Sequence, residues 1–391
     1  MSFKGYSGSY FILCGVALLA MFSTSLQFPI IPLFAREMGA SGVILGFTVA
    51  GYWVSRILME IPSGLISQRF GYFRSMAVGL GLNVVGTFLS AFARDPLQFT
   101  LARALMGIGA PLFFAVATTF VLNLFDSDRR GGAMGVFQGI EFGGTILGSA
   151  FSGYLATIFD FRTSFLVSAG LILLSMIPLV FLPHIREESK SMVVGSTLSF
   201  SDIREVIRNR NLLIVSSAVF AEFVMSIGIL MTIFPLFAVE SLGISLTDVG
   251  LLMGSRSVGF VIAMFTMGAI SDRVGRKPVM LFGLGATAAL IVALGFVSSF
   301  WGIAGVIFVL GITTGAIWIV SPVLAAESVE PNQRGAAIGT YRTFFDLGSI
   351  LGPIVMAAVY EAYGMLPCLY LASALLLANL VPAMKLGENR V

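Results

Sequence analysis

The chain has 391 residues, of which 57% are hydrophobic and 11% charged, with a net charge of +3 and a mean hydropathy of +0.96. A soluble domain carries about 25% charged residues, so a water-facing globular surface is excluded, and a disordered chain with it. Long unbroken apolar runs argue against the alternating strands of a transmembrane β-barrel and leave a bundle of membrane-spanning helices, which satisfy their own backbone hydrogen bonds in lipid.

Twelve apolar segments follow one another at 10–35, 43–65, 74–93, 97–124, 132–157, 163–183, 211–238, 247–268, 278–299, 301–325, 336–360 and 366–384. Each is close to the roughly 20 residues that a span requires. The first, behind Lys4, has the look of a signal peptide at its start. It runs on through Phe28 to Phe34, however, and no small-residue cleavage site follows, so it is read as a span. The longest polar stretch, 184–210, is a central cytoplasmic loop. Ser201 is a helix N-cap candidate there, and Ile203, Val206 and Ile207 fit either an amphipathic surface helix or a plain linker. The loop separates an N-terminal six-helix bundle, 1–183, from a C-terminal one, 211–391.

Of the 23 basic residues, Arg36, Arg94 and Arg162 alone fall in segments that alternate to the outside, and most of the others fall in the inner loops and tails. That bias puts both termini in the cytoplasm of a multi-pass cell-membrane protein. The basic residues form no stripe, so nucleic acid is not an expected partner. Cys14 and Cys368 lie inside apolar runs and read as small buried hydrophobes. His184, the lone histidine, reads as solvated. No metal or cofactor is expected.

The two halves repeat. Gly64-Leu-Ile-Ser-Gln-Arg-Phe-Gly71 matches Gly268-Ala-Ile-Ser-Asp-Arg-Val-Gly275 at an offset of 204. Arg130 to Gly135 matches Arg334 to Gly339, and Gly144-Thr-Ile-Leu-Gly148 matches Gly348-Ser-Ile-Leu-Gly352, in the same register. Gly39 and Ser41 match Gly243 and Ser245 likewise. Separate motifs in one register indicate duplication.

The stretch from Gly268 through Asp272, Arg273, Gly275 and Arg276 to Lys277 resembles the loop signature of the major facilitator superfamily, which follows spans 2 and 8. Arg103-Ala-Leu-Met-Gly107-Ile-Gly109 resembles that family's second motif, and Gly135, Gly144 and Gly148 its glycine-rich antiporter motif. Pro29-Ile-Ile-Pro32 and Glu60-Ile-Pro-Ser-Gly64 lean towards the drug:proton antiporter branch. The resemblance implies an all-α polytopic fold of two pseudo-symmetric six-helix bundles and transport by alternating access. It also implies gating and loop-latch roles for Gly64, Arg69, Gly71, Gly268, Asp272, Arg273, Gly275, Arg276 and Lys277, and close helix packing at Gly135, Gly144, Gly148, Gly348, Gly352 and Pro353. An aspartate near helix ends can bind exposed amides or pair with arginine, and glycine suits a tight turn. The chain departs from the pattern at Gln68, where the first loop copy would carry aspartate, and at Tyr72 and Phe73, where it would carry basic residues. Ser149 stands where span 5 would carry proline, and Ser152 where it would carry glycine.

Eight charges lie within the spans: Arg56, Glu60, Arg103, Glu141, Glu222, Arg256, Arg342 and Asp346. Each costs about 2.5–3.5 kcal/mol at a span centre on insertion scales, so most should face a cavity or a partner. None falls in spans 3, 6, 9 or 12, the outer helices of the family's fold. Arg56 and Glu60 are four residues apart, as are Arg342 and Asp346, a spacing that permits ion pairs. Glu141 and Glu222 lack such a partner within their own spans. Burial disfavours a charged carboxylate and a nearby arginine favours it, so Glu141, Glu222 and Asp346 are candidates for reversible protonation. Arg256 or Arg342 could hold such an acid poised or bind an anionic substrate, and Arg103 is a relay candidate. Arg56 and Glu60 read as gate or packing residues. Gln27, Tyr52, Asn123, Gln138, Trp318 and Tyr341 could line a pocket.

The leading expectation is a monomeric secondary transporter that exports small amphipathic organic compounds in exchange for protons. A symporter or facilitator of another organic solute is the alternative, and a non-transporting membrane sensor is a third reading. No phosphate-cradling loop supports an ATP-driven pump, and the scarcity of His and Cys argues against an enzyme.

Overall fold

The computed structural model describes residues 7–181, 185–187, 208–330 and 333–387. His184 and the helix expected after Ser201 lie outside the described residues. Among these residues there is no strand. The chain forms α1 (Gly8–Glu37), α2 (Gly42–Phe70), α3 (Tyr72–Phe92), α4 (Pro96–Leu124), α5 (Ser127–Ile158), α6 (Phe161–Phe181), α7 (Arg210–Glu240), α8 (Leu246–Val274), α9 (Arg276–Phe296), α10 (Phe300–Glu327), α11 (Arg334–Tyr363) and α12 (Met365–Ala383). Eleven of them are long and apolar enough to cross a membrane. The twelfth, α5, is the longest at 32 residues. Glycine, Glu141 and two arginines dilute its apolar content.

Short polar side chains start many of these helices. Asp95, Asn209, Ser245 and Ser299 each accept a hydrogen bond from the amide three residues on, at 2.9–3.2 Å. These bonds satisfy amides that a helix start otherwise leaves unpaired. Asp160 does the same for Thr163 at 2.6 Å, and that amide holds its carboxyl below the usual carboxylate range.

The repeated loop motif is not a loop. The spans were expected to end at 65 and 268, but α2 and α8 continue to Phe70 and Val274, so Gly64 and Gly268 lie within helices. Among the described residues, a Cβ at Gly64 would meet nothing within 4 Å, and one at Gly268 only Ile319 at 3.9 Å. Neither glycine makes the turn itself. The reversal is made by one residue in each copy. Gly71 has φ 86° and ψ 156°, and Gly275 has φ 96° and ψ 153°. Residues with a Cβ avoid this region.

The chain forms two compact units, 1–39 with 51–195, and 40–50 with 196–391. In the first, α1 lies against α5 and α6, and α3 against α4 and α6. Its core gathers Tyr10, Leu13, Tyr72, Phe113, Phe120 and Phe137, and the Tyr10 hydroxyl donates to the Ala133 carbonyl at 2.7 Å. In the second, α7 lies against α11 and α12, α8 against α10, and α9 against α10 and α12.

Glycines set these contacts at matching places. A Cβ at Gly107 would collide with the Tyr52 carbonyl of α2, and one at Gly311 with the Arg256 carbonyl of α8. These are equivalent positions at the offset of 204. In α5, Gly144 and Gly148 sit on the α1 carbonyls of Leu18 and Phe22. In α11, Gly348 and Gly352 sit on the α7 carbonyls of Phe220 and Val224. Gly135 does not share this role, since a Cβ there would meet nothing within 4 Å, and Gly339 is equally open.

The α5 and α11 contacts relate α1 to α7 by 202 residues, whereas Pro32-Leu-Phe-Ala35 and the identical Pro235-Leu-Phe-Ala238 are 203 apart. Between these points α1 tightens into a 3-10 turn at Phe28–Ile30, while α7 widens into a π-helix at Ser226–Ile233. A π segment absorbs an inserted residue within a continuing helix. Thr232 Oγ1 donates to the carbonyl of Ile227 within it, at 2.7 Å.

If the glycine crossings hold the helices together, Gly311→Val should destabilise the protein by about 1–3 kcal/mol through overpacking. Gly285→Ala, where a Cβ would meet nothing within 4 Å, should leave the thermal unfolding temperature in detergent unchanged. Equal tolerance of both substitutions would contradict this account.

Candidate functional site

The C-terminal unit holds a continuous polar chain in its interior. Glu222 on α7 and Ser226, one turn later, are both buried. The Ser226 hydroxyl donates to Glu222 Oε1 at 2.6 Å and accepts from Arg256 Nη2 of α8 at 3.0 Å. Glu222 therefore has a partner on its own helix, contrary to expectation. The partner is a neutral hydroxyl, which a search for opposite charges does not see, although the i, i+4 spacing was visible. Arg256 Nε is buried with no hydrogen-bond partner among the described residues. From α11, Tyr341 and Asp346 are buried, while Arg342 is exposed. Tyr341 lies within electrostatic reach of Glu222 and Arg342.

This cluster exists because α7, α8, α10 and α11 approach closely. Gly348 and Gly352 seat α11 on the backbone that flanks Glu222, and Gly311 seats α10 on the carbonyl of Arg256. The π segment begins at Ser226 itself, so the hydroxyl stands where the helix leaves regular α geometry.

The N-terminal unit arranges its charges differently. Arg103 on α4 is 2% exposed and lies 5.9 Å from the ring centres of both Tyr52 and Phe99. Gly107, one turn on, brings α4 onto the Tyr52 backbone and so under that ring. At the equivalent places of the second unit, Ile307 replaces Arg103 and Arg256 replaces Tyr52. The same crossing therefore carries its arginine on the opposite helix. Glu141 on α5 is half-buried, and its carboxylate makes no hydrogen bond or ion pair among the described residues. Cys14 is within its electrostatic reach. Arg56 and Glu60 form the ion pair their spacing permits, at 3.7 Å, with Arg56 also 5.3 Å from the Trp53 ring centre. Gln27 is buried on α1, with its amide nitrogen 3.5 Å from Thr87 Oγ1 and its Oε1 without a hydrogen-bond partner among the described residues.

The two loop motifs end in a matched pair of braces. In the second unit, Arg276 pairs with Glu327 at the end of α10 and lies 4.0 Å from Asp272. Lys277 donates to the Leu386 carbonyl at 3.0 Å. The equivalents of Asp272, Arg276 and Glu327 are Gln68, Tyr72 and Asn123. Here Asn123 Nδ2 donates to the Tyr72 hydroxyl at 2.9 Å. The first copy has thus exchanged the charged set for a neutral one while keeping the link between the same two helices. Arg69 stacks near the Phe70 ring at 5.5 Å, and Arg273 is exposed.

Comparison with known proteins places this geometry in context. The family model described as Major Facilitator Superfamily matches residues 13–227 and 223–390. The chain is 23% identical to the multidrug resistance protein MdtG of Proteus mirabilis (strain HI4320), over 91% of this chain and 90% of that one. It is 24% identical to multidrug resistance protein 2 of Bacillus subtilis (strain 168), over 90% and 88%. It is 21% identical to the quinolone resistance protein NorA of Staphylococcus aureus (strain MSSA476), over 95% and 94%. Among solved structures, a mutant of the nucleoside transporter NupG superposes with a TM-score of 0.77 at 14% identity, covering 96% of this chain and 100% of that one. A bacterial homologue of the human lysosomal transporter Spinster superposes at 0.74 with 15% identity, over 97% and 95%.

The two braces should respond differently to salt. Glu327→Gln is expected to cost up to about 1 kcal/mol and to lose that cost at about 1 M salt, where the Debye length is about 3 Å. Asn123→Ala is expected to cost about 1 kcal/mol at every salt concentration. Thermal unfolding of both variants across a salt series checks this, and parallel salt dependence would contradict it.

Proposed function

The chain belongs to the Major Facilitator Superfamily, and on that premise we propose that it exports small amphipathic organic compounds by alternating access, driven by protons. The observation that carries the proton part is the Glu222–Ser226–Arg256 chain. A direct arginine–carboxylate pair in a dry site favours the charged acid and resists protonation. A hydroxyl between the two behaves differently. It has one donor and two acceptor sites. With Glu222 charged, Ser226 donates to it. With Glu222 protonated, the carboxyl donates to Ser226, whose own hydrogen turns to the carbonyl one helical turn back. Both protonation states keep their hydrogen bonds, so the acid can load and release a proton without leaving a buried polar group unpaired.

The other groups take supporting roles in this reading. Arg256 on α8 is the cation that senses the charge of Glu222, with Tyr341, Arg342 and Asp346 the ionisable residues contributed by α11. Asp346 and the half-buried Glu141 are further proton sites. Glu141, without an ionic partner among the described residues, can also receive a cationic substrate. Arg103, held under aromatic rings, is a relay or gating residue. The Arg56–Glu60 pair and the Asp272–Arg276–Glu327 brace act as latches released during the cycle. The six-helix bundles at 1–183 and 211–391 move as bodies, joined by the 184–210 loop, with both termini cytoplasmic and a single chain sufficient. The drug and quinolone resistance named for the MdtG and NorA relatives supports the export direction and the substrate class. The match in fold to other transporters supports the cycle alone.

Inside-out vesicles with an acidic lumen should accumulate a lipophilic cation. Glu222→Gln should abolish that accumulation while keeping substrate counterflow, and Ser226→Ala should lower proton-driven flux about tenfold, the effect of losing roughly 1.4 kcal/mol of charge-assisted hydrogen bonding. If Glu222→Gln, Glu141→Gln and Asp346→Asn all keep full proton-driven flux, the coupling assignment is wrong. Uptake under the opposite gradient would favour a symporter.

A further inference from the structure

One turn of α1 carries polar groups that neither the packing nor the proton chemistry uses. Among the described residues, seven buried side-chain nitrogen and oxygen atoms have no hydrogen-bond partner, and four of them gather around this turn. They are Ser25 Oγ and Gln27 Oε1 of α1, Ser152 Oγ of α5 and Ser168 Oγ of α6. All four residues are at most 1% exposed. Ser25 and Gln27 stand two residues apart, so they face opposite sides of the helix. On one side, a Cβ at Gly148 of α5 would lie 2.8 Å from the Ser25 Cβ, and Ser152 follows Gly148 by one turn. On the other, Ser23 Oγ donates to the Ser168 carbonyl at 2.6 Å, and the Gln27 amide nitrogen lies 3.5 Å from both the Ser23 carbonyl and Thr87 Oγ1 of α3. Turning the Gln27 amide over would only exchange an unpaired oxygen for an unpaired N–H.

Three observations separate these groups from ordinary helix polarity. Buried hydroxyls elsewhere in these helices donate to a carbonyl about one turn back, as Thr24, Ser90 and Ser175 do, whereas Ser25, Ser152 and Ser168 do not. The backbone adds acceptor capacity. The 3-10 turn at Phe28–Ile30 follows directly, and its Pro29 has no N–H to give the Ser25 carbonyl one turn back. The internal repeat provides a control. Ser152 and Ser168 correspond to Met356 and Ala372, and the matching stretch of α7, Ile227-Gly-Ile-Leu230, has no polar side chain. Met356, Ala372, Ile227 and Leu230 are all buried as well. The second unit thus builds the same crossings from apolar groups, so packing does not require the polar set. Ser152, moreover, stands where the family's motif carries glycine.

We propose that the turn Ser23–Gln27 of α1 is a binding site for internal water. Ser25, Ser152 and the Ser25 carbonyl hold it on one side, and Gln27, Ser168 and Thr87 on the other. Buried water typically makes about three hydrogen bonds to polar groups that are otherwise unsatisfied. Hydroxyls and a carboxamide, which both donate and accept, suit it. No charged residue belongs to the set, so a bare ion would stay uncompensated there. Lipid offers no donors of its own. Bound water therefore keeps polar groups satisfied where α1 leaves α geometry, and it lets residues 31–37 change their angle to the rest of α1 without stranding one. The inference does not rest on the export reading.

Radiolytic hydroxyl-radical labelling reads bound water directly, because X-rays generate the radicals from the water in place and these oxidise the side chains beside it. Leu26, in the same turn, and Leu230, in the matching stretch of α7, are the same residue type and are 3% and 0% exposed. In the full-length protein in detergent, Leu26 should be oxidised and Leu230 should not. A bulk radical scavenger should suppress oxidation of the exposed Leu97 and spare that of Leu26. Ser25→Ala, Gln27→Leu, Ser152→Ala and Ser168→Ala combined should abolish the Leu26 label while cooperative unfolding is retained, since removing a hydrogen-bonded set together costs less than stranding one member. Ser152→Ala and Ser168→Ala alone should each lower the label, which keeps the test decisive if the combined variant fails to fold. Oxidation of Leu26 no greater than that of Leu230, equal suppression of Leu26 and Leu97 by the scavenger, or an unchanged label in both single variants would each overturn the proposal.

Discussion

The structure depends on how closely two helix backbones can approach inside a membrane. Lipid is as apolar as a leucine side chain, so helices gain little by hiding apolar surface from it, and their association rests on contact and hydrogen bonding. Here the contact is made where glycine meets carbonyl: Gly107 on Tyr52, Gly311 on Arg256, Gly144 and Gly148 on α1, Gly348 and Gly352 on α7. Each crossing also positions chemistry. Gly107 puts Arg103 beneath the Tyr52 ring, and the α11 glycines settle α7 where Glu222 and Ser226 meet Arg256.

A duplicated scaffold has kept these crossings and changed what they carry. The arginine at the shared crossing sits on α4 in one unit and α8 in the other. The brace behind the repeated turn is Gln68, Tyr72 and Asn123 in one and Asp272, Arg276 and Glu327 in the other. Charge at Arg56 and Glu141 corresponds to rings at Phe260 and Phe345. Backbone geometry tolerates these exchanges because it is set by glycine contacts and, at the repeated turns, by the positive-φ glycines Gly71 and Gly275, and not by the side chains that differ. The π segment in α7 is a further asymmetry, one residue long, and it opens at the serine that joins the acid to the arginine.

Much of the fold was legible in the residues themselves. The apolar runs marked the spans, and the repeated motifs marked the family, which the comparison bears out along the whole chain. Helix ends were less legible. Gly64 and Gly268 look like turn residues, but the helices ran past them, because one glycine of suitable φ suffices for the reversal. Gly135 looked like a packing glycine through its place in a motif, yet a Cβ there would meet nothing within 4 Å among the described residues. The proton-coupling candidates were recognised by charge, so Glu222 and Arg256 were found while Ser226, neutral and common in helices, was not.

The sequence by itself determined that this is a polytopic helical membrane protein of a known transporter family, because composition, run length and motif order are local properties. It also determined which charges had to be costly, since eight lie within apolar spans. Only the tertiary structure decided which of those charges meet. Contacts between α7 and α8, or between α10 and the start of α9, join residues 30 and 51 positions apart, and no periodicity along the chain encodes them. They follow from the glycine crossings, which bring helices to a distance at which a hydroxyl or a guanidinium can reach its neighbour.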